Sequence, residues 1–128
     1  MALDRETGLV VGAQVMLEPS FEQMQRFADS LPTALRYCTD GFTLYQDLIW
    51  PQAASHVVSR AKEQTHTIES LNSNLRTYLK RLARRCRCFS RCLRALERTV
   101  RLFVYHYNCR QRLILASPQY RHRLPLLL

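Results

Sequence analysis

Two carboxylates in this 128-residue chain stand where an acid could do chemistry. Asp40 closes the run Ala34-Leu35-Arg36-Tyr37-Cys38-Thr39 and is followed by Gly41. The carboxyl ends of strands are where ligands and reacting groups collect in sheet domains. An Asp-Gly pair is also an ordinary turn former, and position alone favours that reading. Glu69 falls in the first turn of an expected long helix, where an acid complements the helix dipole. At about 100° per residue, Arg76, Lys80 and Arg87 come within about 20° of it, and the apolar stripe lies on the other side. A carboxylate at the head of a cationic stripe suits a metal ion held beside a phosphate backbone.

The densest basic run is Lys80-Arg81-Leu82-Ala83-Arg84-Arg85-Cys86-Arg87, with five cations in eight residues. Such charges repel one another unless an anion is near, and clusters of this kind read as nucleic-acid patches. Phosphate contacts give affinity and salt sensitivity rather than sequence specificity. Tyr78, Phe89, Tyr105 and Tyr107 are interleaved with the cations, but their helical spacing reads as core packing rather than base stacking. The five cysteines, Cys38, Cys86, Cys88, Cys92 and Cys109, form no C-x₂-C pair. They read as reduced thiols rather than a zinc site. His56, His66, His106 and His122 share no ligand spacing. The sequence contains no glycine-rich phosphate loop, and no serine or cysteine flanked as a nucleophile would be.

Charge divides the chain. The formal net charge is +9, yet residues 1–59 hold three Arg against seven acids, a balance of −4. Residues 60–128 hold sixteen Arg and Lys against Glu63, Glu69 and Glu97, a balance of +13. Only two of the nineteen cations are Lys. Arginine's planar fork binds phosphate oxygens bidentately, which favours nucleic acid over a merely solvated basic face. No apolar run approaches the roughly 18–20 residues needed to span a bilayer. Met1-Ala2-Leu3-Asp4-Arg5-Glu6 is not a basic region leading into an apolar stretch, so no secretory signal is expected. The expected setting is cytoplasmic and nucleoid-associated, with no membrane partner.

The elements that must position these residues follow from periodicity and punctuation, and the length predicts one domain. Asp4-Arg5-Glu6-Thr7-Gly8 reads as a hairpin turn between Met1-Ala2-Leu3 and a strand within Leu9 to Leu17. Ser20 should cap a helix through Ser30, with Phe21, Met24, Phe27 and Leu31 on one face and Pro32 ending it. A strand over Ala34–Thr39, a helical turn or two over Thr43–Ile49, and a short strand at His56–Ser59 come next. From Thr65 the pattern is helical, with Ile68, Leu71, Leu75, Leu79, Leu82 and Cys86 at steps of three and four. A second helix beginning near Ser90 carries Leu93, Leu96, Val100, Phe103 and Tyr107 and runs on toward Ala116. This order predicts a small α/β domain with a short mixed sheet followed by two long helices.

Taken together, these residues resemble a known family. Cys38-Thr39-Asp40-Gly41-Phe42-Thr43-Leu44-Tyr45 is similar to the segment around the second acidic residue of InsB-type bacterial insertion-sequence transposases. So is Thr67-Ile68-Glu69-Ser70-Leu71-Asn72-Ser73-Asn74-Leu75-Arg76, continuing through Lys80-Arg81-Leu82-Ala83-Arg84-Arg85 to Cys88-Phe89-Ser90-Arg91. Phe103 to Asn108 resembles the family's terminal helix, and the likeness runs from about Asp4 to Gln111.

The resemblance implies an RNase H-like fold and a DDE site, in which three carboxylates hold two divalent metals for phosphodiester cleavage and strand transfer. Asp40 would be the second carboxylate and Glu69 the third, both of them metal ligands. Mg²⁺ suits an all-oxygen set. Arg76, Lys80, Arg81, Arg84, Arg85, Arg87 and Arg91 would contact DNA, both the element's ends and its target. The family's first Asp has no counterpart, because Asp4 matches the Asp-Arg of the hairpin turn. On this resemblance the family's amino-terminal recognition module is expected to be missing as well.

Residues 1–112 are accordingly expected to be a partial catalytic domain, and 113–128 a flexible tail. Such a fragment is expected to bind DNA without cutting it and to hold metal weakly or not at all. It would associate with itself or with the amino-terminal part of the transposase. The alternative is a non-catalytic basic protein that binds DNA or a transposase and regulates it.

Overall fold

The computed structural model describes residues 1–59, 66–79 and 92–121. In chain order the elements are β1 (Ala2–Leu3), β2 (Val10–Gly12), α1 (Phe21–Asp29), β3 (Arg36–Thr39), α2 (Thr43–Gln46), β4 (Ser55–Val58), α3 (His66–Tyr78) and α4 (Leu93–Ala116). A single 3₁₀ turn at Pro118–Tyr120 follows. This is the mixed α/β order expected from the sequence. The chain divides into two compact units, Met1–Val15 with Leu71–Leu128, and Met16–Ser70.

In the first unit, β1 and β2 pair antiparallel, with a register shift between Ala2 and Leu3. Asp4 builds the turn. Its amide donates to the Leu9 carbonyl at 2.8 Å, and its carbonyl accepts from Gly8 at 2.9 Å. Its carboxylate accepts from the Thr7 amide at 3.1 Å and also from the Thr7 hydroxyl. Gly8 has φ +70°, a conformation that glycine adopts without steric cost. The strand is shorter than the apolar run Leu9–Leu17 suggested, since β1 offers only Ala2 and Leu3 as partners.

The helix α4 follows the predicted stripe and buries Leu96, Val100, Phe103 and Ile114. Cys92 occupies its N-cap without a side-chain capping hydrogen bond, and the predicted cap Ser90 lies outside the described residues. α4 runs unbroken past residue 112 to Ala116.

Three polar side chains of α4 dock the hairpin. Asn108 Nδ2 donates to the Val10 carbonyl, and its Oδ1 accepts from the Val10 amide, both at 2.9 Å. The Tyr107 hydroxyl donates to the Gly8 carbonyl at 3.2 Å, and Gln111 Nε2 donates to the Thr7 carbonyl at 2.9 Å. Asn108 thus acts as a surrogate strand for an edge that would otherwise leave backbone groups unpaired. Leu71 and Leu75 of α3 are also buried in this unit, while Leu82 and Cys86 lie outside the described residues.

In the second unit, Ser20 caps α1 as predicted, its hydroxyl accepting from the Gln23 amide at 3.3 Å. Met24 is buried, and Glu22 lies in the first turn, where the dipole favours an acid. β3 and β4 pair in parallel, Arg36 opposite Ser55 through Thr39 opposite Val58. Such a pair needs a crossover of a dozen residues or more. Residues 40–54, which include α2, supply it. Among the described residues the strands form two two-stranded ladders, one antiparallel and one parallel, where the sequence predicts one short mixed sheet. Gln25 clamps the Ile49 backbone, Nε2 donating to its carbonyl and Oε1 accepting its amide, each at 2.9 Å.

Candidate functional site

Asp40 is the first residue beyond β3 and is exposed. Its Oδ1 accepts the Phe42 amide at 3.1 Å, which fixes the turn into α2. The turn-forming role is thus real, and it is compatible with a second one, because the carboxylate stays on the surface. Tyr45 of α2 feels it. Burial pushes the phenol of Tyr45 up, and the charge of Asp40 adds to that. Parallel pairing sends both strands out by the same edge. The Ser59 amide donates to the Thr39 carbonyl at 2.9 Å, so Asp40 and Ser59 leave the ladder side by side. The chain that leads on to Glu69 departs from the edge that carries Asp40.

A stack of rings backs this strand pair. Tyr37 and Trp50 lie 4.6 Å apart between centroids at 28°, and Trp50 and His56 4.9 Å apart at 32°. His56 Nε2 meets Thr39 Oγ1 at 2.8 Å, which ties β4 to the residue before Asp40. Burial lowers the pKa of His56, holding it neutral near pH 7. Among the described residues, Trp50 Nε1 is buried with no hydrogen-bond partner. Ligand spacing among the histidines does not disclose this arrangement, which depends on the parallel register of β3 and β4.

Glu69 lies in the first turn of α3 and is half-buried. Arg76 is exposed two turns later on the same helix. A seven-residue step comes within about 20° of full registry, so the two share a face. Lys80, Arg81, Arg84, Arg85, Arg87 and Arg91 lie outside the described residues. Among the described residues, no three His, Cys, Asp or Glu side chains come together as a metal-holding group. The two carboxylates have the hard oxygen chemistry a divalent cation prefers. Cys38 and Cys109 are unbridged thiols, and Cys86 and Cys88 lie outside the described residues.

Two of the aromatics are not core residues. Tyr78 and Tyr105 are 50% and 64% exposed. The reason is angular, since Tyr105 falls about 160° round α4 from the buried Phe103. Tyr107 does turn inward, to the hairpin. Sequence reasoning also passed over Arg94, Arg98 and Arg101 of α4, which with Glu97 line an open depression of about 340 Å³. Their spacing of four and three is a signal that could have found them. Among the described residues no helix is long and apolar enough to cross a membrane.

Compared with known proteins, residues 1–113 match a family model described as IS1 transposase. No curated protein and no solved structure matches the chain.

Proposed function

Because the chain belongs to the IS1 transposase family, we propose that it works on DNA as part of a DDE-type strand-transfer domain with an RNase H-like plan. In this reading Asp40 and Glu69 are two of the carboxylates that hold divalent metal, with Mg²⁺ the natural choice for an oxygen donor set. When bound, such a metal pair activates the attacking oxygen and stabilises the leaving one in an in-line phosphodiester displacement. Asp40 offers an exposed carboxylate whose direction is set by the Phe42 amide. Thr39 and His56 brace the strand end from which it projects. Arg76 and the basic run Lys80, Arg81, Arg84, Arg85, Arg87 and Arg91 hold the phosphate backbone, from element ends and from target DNA. The protein acts at the nucleoid and associates with further transposase subunits or segments.

The observation that carries this reading is the location of Asp40, at the carboxyl edge of a parallel strand pair within the matched residues. Excision and insertion of a marked element, by a transposase containing these residues, provides the test. Asp40→Asn or Glu69→Gln should each remove several kcal/mol of charge stabilisation, on the order of a thousandfold in rate. Glu22→Gln, in the first turn of α1, should be neutral. Unchanged transposition in both variants would favour a non-catalytic protein that binds DNA or a transposase. Because two carboxylates are one fewer than the chemistry uses, the 128-residue chain alone should bind duplex DNA without nicking it. Efficient Mg²⁺-dependent nicking by the purified chain would overturn that expectation.

A further inference from the structure

We propose that the exposed face of α4 is a second duplex-DNA surface, a straight arginine rail separate from the basic run of residues 80–87. Arg94, Arg98, Arg101 and Arg112 are all exposed on this one helix. At about 100° per residue they fall within roughly 60° of azimuth, with Tyr105 in the same stripe. The buried residues Leu96, Val100, Phe103 and Ile114 occupy the opposite side. The rail is therefore the face that packing leaves to solvent.

Its chemistry selects a partner. Glu97 is the sole acid among the 24 residues of α4, against five arginines, so the helix carries an excess of four positive charges. Among the described residues, Arg94, Arg98, Arg101 and Arg112 are in no ion pair. Every cation in the helix is Arg, whose fork grips phosphate oxygens in pairs. The open depression lined by Arg94, Glu97, Arg98 and Arg101 lies at the start of the rail. Exposed Tyr105 adds a hydroxyl of the kind that often contacts phosphate.

From Arg94 to Arg112 the rail is about 27 Å long at 1.5 Å per residue. At about 3.4 Å per step along one strand, it spans about eight base pairs of duplex backbone. A protein partner would be expected to need an apolar or aromatic anchor at the centre of the patch. Here Tyr105 is the one such group in a stripe of four arginines, and its hydroxyl can serve phosphate, so the rail fits a uniformly charged rod better than an acidic protein. It gives no base readout, so the binding is independent of sequence. This inference rests on the reading of the chain as one that works on DNA.

The test is anisotropy of a labelled random-sequence duplex titrated with the 128-residue chain across a salt series. Arg98→Gln with Arg101→Gln removes two charges from the rail. Arg26→Gln with Arg36→Gln removes two from the acidic half and gives the same net charge. The rail variant should flatten the slope of log K against log salt by about 1.8, at about 0.9 per phosphate contact. Across a fourfold rise in salt, the unaltered chain then loses roughly twelvefold more affinity than the variant. The control variant should keep its slope, as should Arg98→Lys with Arg101→Lys.

Equal flattening by the rail and control variants would overturn the rail and leave only a net-charge effect. A slope unchanged in the rail variant would overturn it too, while leaving the proposed function standing. No binding by the unaltered chain would overturn both. Poly-L-glutamate is the contrasting probe, and rail-dependent binding of it as tight as the duplex would overturn the assignment to DNA. Circular dichroism should match for all variants, because Gln and Lys are nearly as good as Arg in an exposed helix and Arg36 is an exposed residue at the start of β3.

Discussion

The two compact units bury their apolar residues very differently. Met1–Val15 with Leu71–Leu128 contains Val10, Leu71, Leu75, Leu96, Val100, Phe103 and Ile114, all buried. Among the described residues, Met16–Ser70 buries Met24 and Leu48 and leaves Leu17, Leu35 and Ile49 at 73%, 86% and 74% exposure, against at most 64%, at Tyr105, in the first unit. The proposed carboxylates sit in the thinly cored unit, and the arginine rail in the well-cored one. A rail must be straight to follow a backbone, so it gains from a rigid floor. An acid that reorganises around metal and substrate needs less of one, and low-stability regions are where such motion is found.

The sharpest way to break this comparison is to truncate one core residue in each unit. Phe103, at 2% exposure, should cost about 3–5 kcal/mol as Phe103→Ala. Met24→Ala should cost nearer 2 kcal/mol, the low end for Met→Ala, because a sparse surround relaxes into the space. Equal costs in chemical denaturation would remove the distinction.

The next test uses one device that occurs in both units, a side-chain amide bonded to both backbone groups of a distant residue. Asn108→Ala exposes a buried strand residue, Val10, to unpaired N–H and C=O, and should cost about 1–3 kcal/mol. Gln25→Ala removes an exposed clamp and should cost about 1 kcal/mol or less. Amide exchange at Val10 and Ile49 reads the two directly, with the larger acceleration expected at Val10.

Gly8→Ala probes the hairpin. A left-handed alanine costs about 1–2 kcal/mol. The new Cβ would also lie 2.8 Å from Gln111 Nε2 and displace that clamp. Thermal midpoints should show the loss, and Gln111→Ala in the same chain should relieve the crowding part of it.

The smallest effect is set by pH. The imidazole of His56 has its pKa lowered from 6.5 by burial, so the unfolded chain binds more protons on the acid side of that value. Its contribution is full above about pH 6.5 and is lost as pH falls through the lowered value. Exchange in β3 and β4 should speed up on acidification from pH 7 toward 5. His56→Asn should flatten that dependence.

What the sequence discloses is whatever local chemistry decides. Ser20 names the start of α1, Asp4 through Gly8 name the turn, and the stripe from Leu96 to Phe103 names α4, since each depends on neighbours a few residues away. The pairing of strands depends on distant partners, which explains the overlong reading of Leu9–Leu17 and the two ladders in place of one sheet. Asn108 was visible only as part of a likeness, because nothing in its neighbourhood announces a bond to Val10. The place of Asp40 at a strand end is legible in the run that precedes it. The braces behind it, Thr39 and His56, needed the parallel register to bring them together. The arginines of α4 were hidden by the denser run before them, although their spacing is as regular as that of the apolar stripe.

Trp50 is the only tryptophan in the chain, and it is stacked between Tyr37 and His56 behind the strand that ends at Asp40. That makes the protein its own optical instrument. A protonated imidazole against the face of an indole quenches its emission. The intrinsic fluorescence of the unlabelled chain therefore reports the charge on His56 without any added probe. Through the Thr39 link, it should also register the arrival of a cation or a phosphate at the strand end.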